Sequence, residues 1–324
     1  MEFSFGALRA GSRTAPRPTL RVLRWCGPLA YGIALSVQTL QGGLPVSRDR
    51  LLIWIVLGLL AFSLTDLRRW IRSVLLEWLP MAAILYVYDL LRGYADGLWL
   101  PAHIEPHLWA EEVLFFGPPV PTVWLQQHLW DGIDHLHWYD YALWGVYVSH
   151  FFGTLVVAAA LWLFAPRRFR RWVTMVCLLA FMAFTVYVLY PAIPPWMASE
   201  HADIPRTTRI VGHIWREIPV AAFQPLFDGG QRFANNVAAM PSLHAAYALL
   251  ITLFLWPGAR LHWRLLLAAY PPAMGLALVY SAEHFVVDVL AGWVAAYGAF
   301  WAVNALARRP RWASLFEGAR AGAR

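Results

Sequence analysis

Two short stretches of this sequence hold residue types that can do chemistry. In Glu283-His284-Phe285-Val286-Val287-Asp288, His284 and Asp288 are four residues apart and would share one face of a helix. A carboxylate so placed can accept the Nδ1 proton of the imidazole and leave Nε2 forward as a base or nucleophile. The plainer reading is a buried ion pair that sets helix register. In Ala239-Met240-Pro241-Ser242-Leu243-His244-Ala245-Ala246, a second histidine opens another apolar run. Between His244 and His284 the chain has room to cross a membrane once and return, so both histidines emerge at one membrane face. With Asp288 they would form one cluster: a nucleophile, its orienting carboxylate and a second imidazole.

The elements that must position this cluster follow from composition. Of 324 residues, 60% are hydrophobic and 14% charged, against about a quarter charged in soluble domains. The mean hydropathy is +0.50. The expected class is an all-α polytopic membrane protein. The 19 tryptophans suit membrane interfaces. A net charge of +7 arises from arginines between apolar spans, as the positive-inside bias produces, so nucleic acid is not an expected partner. Cys26 and Cys177 provide neither a disulfide framework nor a zinc-ligand spacing.

Residues 1–24 read as a basic cytoplasmic arm, too polar for a cleaved signal peptide. Residues 25–72 hold two accessory helices, Pro28–Leu40 and Leu51–Leu64. Each is short for a span of roughly 20 residues, which leaves an interfacial hairpin as the alternative. Residues 73–307 form the catalytic membrane domain, and 308–324 a cytoplasmic tail. Val74–Leu91 ends beside Asp89 and Arg92, three apart on one face. Arg92 there is a candidate phosphate clamp, or else a snorkelling arginine in an interfacial ion pair. Tyr94–Tyr139 reads as an irregular interfacial segment whose His103, His107, Glu111 and neighbouring titratable groups fit no metal-ligand spacing. Tyr141–Phe164 is a span with His150 roughly 15 Å down its axis from Asp140. His150 is either a satisfied core residue or a contact for an acceptor hydroxyl. Tyr190 heads the proline-rich Pro191–Trp196 rim, where it is a candidate substrate contact. Met197–Ala239 is a lid or substrate wall, and its Arg206, Arg209, Arg216 and Arg232 read as solvated, contact with an anionic substrate being the alternative. Eight crossings put Arg68–Arg72, Arg167–Arg171, Arg260–Arg264 and the Arg308 tail in the cytoplasm. His244, His284 and Arg92 then fall on the extracytoplasmic side.

Pro241-Ser242-Leu243-His244 and the His284–Asp288 spacing resemble the type 2 phosphatidic acid phosphatase (PAP2) superfamily of membrane phosphatases and phosphotransferases. The resemblance implies a six-helix PAP2-like core, here with two N-terminal helices added. It also implies a double displacement in which His284 becomes phosphohistidine, Asp288 fixes its tautomer, and His244 acts as acid and then base. Arg92, the Ser242 hydroxyl and N–H groups at the start of its helix are candidate phosphate contacts. No cofactor or metal is expected, zinc on the His/His/Asp set being a minor alternative. Many phosphatases of the superfamily carry an early Lys motif and a Ser-Arg pair seven and six residues before the nucleophile. This chain has no lysine, and those positions are Ala277 and Leu278. In that it is similar to the inositol phosphorylceramide synthase and sphingomyelin synthase branch, which transfers a head group.

The expected function is therefore a membrane phosphotransferase moving a phospho-head group, with inositol phosphate a candidate. The partners would be a donor phospholipid and a hydroxyl acceptor on a lipid or glycan. The setting would be a bacterial plasma membrane, with the site on the extracytoplasmic side. The alternatives are a lipid phosphate or polyprenyl diphosphate phosphatase, and a transporter using His and Asp as a proton relay.

Overall fold

The structure is a computed structural model. It describes residues 18–42, 48–64, 68, 71–72, 74–94, 101–201, 203–217 and 236–312, without the side chains of 18–24, 42, 48, 49, 51, 52, 89, 92–94 and 216. Arg92 and Asp89, the expected phosphate clamp and its neighbour, have side chains outside the described residues, as does Arg232.

The described chain is built from helices: α1 Pro18–Gly42, α2 Arg48–Ser63, α3 Leu79–Tyr94 with a π-helical lead-in at Val74–Trp78, α4 Glu105–Phe115, α5 Pro121–Leu129, α6 Trp138–Phe164, α7 Pro166–Leu189, α8 Pro195–Glu200, α9 Ile210–Glu217, α10 Leu243–Leu255, α11 Leu261–Tyr280 and α12 Val286–Arg308. The eight segments expected to cross fall on the helices α1, α2, α3, α6, α7, α10, α11 and α12. Of these, α6, α7 and α12 are long and apolar enough to cross a bilayer, while Ile53–Ser63, Val74–Tyr88 and Leu243–Gly258 are shorter apolar stretches. α1 and α2 pack on each other, and α2 also packs on α6. α1 starts at Pro18, inside the stretch expected as a free arm; proline fits a first helical turn, whose N–H groups have no helical partner.

The bundle closes around α10, which packs most extensively on α12 and then on α11. Small side chains permit that approach: Ala245, Ala246, Ala296 and Ala299 are all wholly buried. Small residues allow backbones in apolar surroundings to come close. At Gly292 on α12 any side chain would collide with the Ser242 carbonyl. The contact is completed by the Ser242 N–H, which donates to the Asp288 carbonyl at 3.0 Å. The starts of α10 and α12 are thus joined main chain to main chain.

The reversal between α11 and α12 is a Schellman turn. Glu283 N–H donates to Leu278 O at 3.0 Å, Ala282 N–H donates to Val279 O at 3.2 Å, and Ala282 holds φ 60°. Glycine is usual in that left-handed position; alanine costs about 1 kcal/mol there. Ala282 is fully buried, and its carbonyl accepts the Trp196 N–H at 3.1 Å.

The described part of the Tyr94–Tyr139 segment, from 101 onward, is more ordered than its prolines suggested. Pro106 and Pro121 lie in the first turns of α4 and α5, where proline favours helix. Likewise the expected loop Met197–Ala239 contains the end of α8 and all of α9. Three chain segments meet in isolated parallel bridges, His103 with Ala192 and Ala192 with Ala238. The Gln126 side chain ties α5 to two others: it donates to Thr208 O and Tyr280 O at 2.8 Å each and accepts the Thr208 N–H at 2.7 Å.

The two ends of the bundle differ chemically. At one end Arg168 donates to Phe254 O at 2.8 Å and Arg264 lies over the Trp256 ring at 5.6 Å. The other end gathers the starts of α10 and α12, α4 and the Tyr190–Pro195 rim.

Candidate active site

The site is assembled from the starts of two helices and the sides of two others. Ser242 is the N-cap of α10, and its hydroxyl oxygen receives the Ala245 N–H at 3.4 Å. Ser242 is wholly buried. This puts His244 in the first turn of α10. Tyr147 and His150, three residues apart on α6, flank its ring with centroid distances of 4.9 and 3.9 Å. The His150 ring therefore sits against the candidate centre. Tyr187 on α7 supports the approach to α10, its hydroxyl donating to Pro241 O at 2.8 Å.

His284 and Asp288 come together by a route other than a shared helical face. α12 begins at Val286, so His284 lies in the turn before its N-cap Phe285. Asp288 is the third helical residue, and its Oδ2 accepts the Phe285 N–H at 2.9 Å. That capping bond folds the carboxylate back over the turn and leaves His284 Nδ1 3.5 Å from Oδ2. Nε2 is then the nitrogen turned away from the carboxylate. The His244 and His284 rings lie 5.7 Å apart.

Two groups passed over in the sequence complete the surroundings of Asp288. His107 Nε2 lies 3.2 Å from Asp288 Oδ1. Glu111, one turn along α4, accepts the Val287 N–H at 2.9 Å through Oε1. Glu111 and Asp288 are fully buried, and His107 is 2% exposed. Burial pushes the Glu111 carboxyl up to about 7, the Asp288 charge adding to it and the Val287 hydrogen bond opposing it. Tyr190 lies beside this group, stacked on His103 at 4.4 Å with its ring 5.7 Å from His107.

Arg209, expected to be solvated, is instead paired. Its Nε and Nη2 donate to the Glu283 carboxylate at 2.6 and 3.0 Å, and its guanidinium lies over the Trp196 ring at 5.1 Å. Burial works against the Arg209 charge, but Glu283 outweighs it and holds the pKa above its usual value. The pair brings a cation next to the residue that precedes His284. Among the described residues no group of three or more His, Cys, Asp or Glu side chains is arranged to hold a metal ion.

The arrangement offers an imidazole backed by a buried carboxylate, a second imidazole facing it and a nearby guanidinium. Those are the parts needed for nucleophilic attack with proton transfer to a leaving group. Residues 109–302 match the PAP2 superfamily. The chain is also 29% identical over 118 residues to a phosphoinositol dihydroceramide synthase of Bacteroides thetaiotaomicron. That alignment covers 34% of this chain and 37% of the relative, so the chain spans about a third of that enzyme's length. No solved structure matches. The family match starts inside α4 and ends inside α12, taking in His244, His284, Asp288 and Glu111. This chain belongs to the PAP2 superfamily.

Proposed function

We propose that the enzyme transfers a phospho-head group from a donor phospholipid to a hydroxyl acceptor through a phosphohistidine. The observation that carries this reading is the 5.7 Å separation of the His244 and His284 rings, with Asp288 behind His284. One phosphoryl group can touch both imidazoles at that spacing.

In the first step His284 Nε2 forms a bond to phosphorus, and the bond from phosphorus to the lipid alkoxide breaks. His244, as imidazolium, gives its proton to that alkoxide. In the second step the acceptor hydroxyl yields its proton to His244, its oxygen attacks phosphorus, and the phosphorus–nitrogen bond breaks. Asp288 stabilises the positive charge that grows on His284 as it attacks. Arg209 offsets charge on the phosphoryl oxygens from its seat on Glu283, with Arg92 and Asp89 candidates for the same region. Ser242 acts by fixing the first turn of α10, while His150 and Tyr190 line the acceptor and rim sides. The site faces the extracytoplasmic side, because the arginine turns lie at the other end of the bundle.

Transfer is favoured over hydrolysis by the absence of lysine and by Ala277 and Leu278 at the Ser-Arg positions. Inositol phosphate as the group moved is supported by the name of the Bacteroides relative. With water as acceptor the same steps make a phosphatase of lipid phosphates or polyprenyl diphosphates. The test is purified enzyme in lipid nanodiscs, given labelled phosphatidylinositol with and without ceramide. A labelled phosphodiester formed only with acceptor supports transfer; free labelled phosphate or inositol phosphate without acceptor refutes it. His284→Ala, His244→Ala and Asp288→Asn should each lower turnover by on the order of a thousandfold.

A further inference from the structure

One edge of Asp288 is occupied by an imidazole for which the two steps above have no use. Its carboxylate is shared between rings from different elements, His284 at 3.5 Å and His107 at 3.2 Å. His107 Nδ1 is buried with no hydrogen-bond partner, and so is the second carboxylate oxygen of Glu111, one turn along the same helix. Orphaned buried polar atoms are rare and costly, and two on one turn facing a reactive pair call for a reason. The charges felt by Glu111 come from Asp288 on α12 and His107 on α4, and His284 sits on the other oxygen of the same Asp288 carboxylate. Tyr190, with His103 stacked on it, closes the side beyond His107. Titrations this close together are linked: a proton gained by one group changes the charge felt by the others.

We infer that His107 and Glu111 are positioning residues for the transfer, His107 holding the Asp288 carboxylate and Glu111 carrying a proton that sets the pH window in which His284 is a nucleophile. The inference rests on the reading of His284 as the nucleophile. When Glu111 is protonated, Asp288 is the one negative charge in the group and His284 can be neutral. When Glu111 ionises, a second negative charge favours a protonated His284, which cannot attack phosphorus. Burial places the Glu111 carboxyl at about 7, within the range where imidazoles titrate. A role in packing alone would leave the pH dependence where it was.

The test compares wild type, Glu111→Gln, His107→Leu and His107→Gln in nanodiscs, with phosphatidylinositol as donor probe and ceramide as acceptor probe. Glu112→Gln, on the same helix but exposed, is the control. Glu111→Gln is expected to move the acid limb of the kcat/KM profile to lower pH by about one unit. His107→Leu is expected to lower kcat by about tenfold with KM little changed, and His107→Gln, which keeps a donor for Asp288, to restore most of it. Glu112→Gln should follow wild type. If His107→Leu fails to fold, the near-isosteric Glu111→Gln profile decides. An active wild type whose profile superimposes on that of Glu111→Gln overturns the inference alone. A wild type silent towards the donor overturns the transferase reading and this inference with it.

Discussion

Replacing Glu111 by Gln should stabilise the protein at neutral and alkaline pH. The Glu111 carboxyl is pushed from an ordinary 4.5 up to about 7 by burial and by Asp288. Between those values the unfolded chain has released the proton and the folded chain still holds it. Folded stability therefore falls as pH rises through that window. A separation of about two and a half pH units, at about 1.4 kcal/mol each, amounts to about 3 kcal/mol lost by the time the pH passes 7. Glutamine cannot ionise, and its amide oxygen can still accept the Val287 N–H. Glu111→Gln should then match wild type near pH 4.5 and exceed it above pH 7, with Tm higher by a few degrees. The assay is intrinsic tryptophan fluorescence during heating in detergent, at one scan rate, across that pH range. Equal midpoints at both ends, or a less stable variant above pH 7, would refute the reasoning.

Arg209→Ala should cost on the order of 3 kcal/mol by stranding the buried Glu283 charge, and Arg209→Ala/Glu283→Ala should recover part of that loss. Thermal unfolding of the three variants measures both, and a single-variant loss below about 0.5 kcal/mol would contradict a stabilising pair. Gly292→Val should cost about 1–3 kcal/mol by driving a side chain into the Ser242 carbonyl. It should also lower turnover sharply by moving His244 away from His284; unchanged turnover in a folded variant would show that the close contact is not what sets their spacing. Ala282→Val should lose about 1–3 kcal/mol because a β-branched residue is strained at a left-handed position, read as a fall in Tm against wild type.

His244, His284 and Asp288 were legible in the chain because each lies in a short linear pattern at the start of an apolar run. Their convergence followed from the parity of crossings alone. The manner in which His284 meets Asp288 was not legible. Phe285 is a poor N-cap residue, so nothing marked the helix as starting after the histidine. His107 and Glu111 were visible as titratable residues four apart, but prolines on both sides hid an 11-residue helix too short to read as a membrane span. Their partners lie in α12, Glu111 and Val287 being 176 positions apart, and periodicity carries no information about contacts at that range. Arg209 looked solvated for a related reason: its counter-charge, Glu283, is 74 residues away. The Schellman turn lacked its usual glycine, so the bend before His284 was expected without its geometry.

The bridges at Ala192 fix both ends of the stretch that joins the rim to α10. Ala192 N–H donates to Val237 O at 2.7 Å, and Ala239 N–H donates to Ala192 O at 3.1 Å. Between them Arg209 is held by Glu283, and Ile210, Val211, Ile214 and Trp215 are buried against the bundle. Both ends of the stretch meet at one residue while α9 packs on α6, so a change in α9 is felt in the bundle. The anchor at Ala192 and the packing of α9 thus brace the approach to His284, while the imidazole spacing stays under the separate control of Gly292 and the capped helix starts.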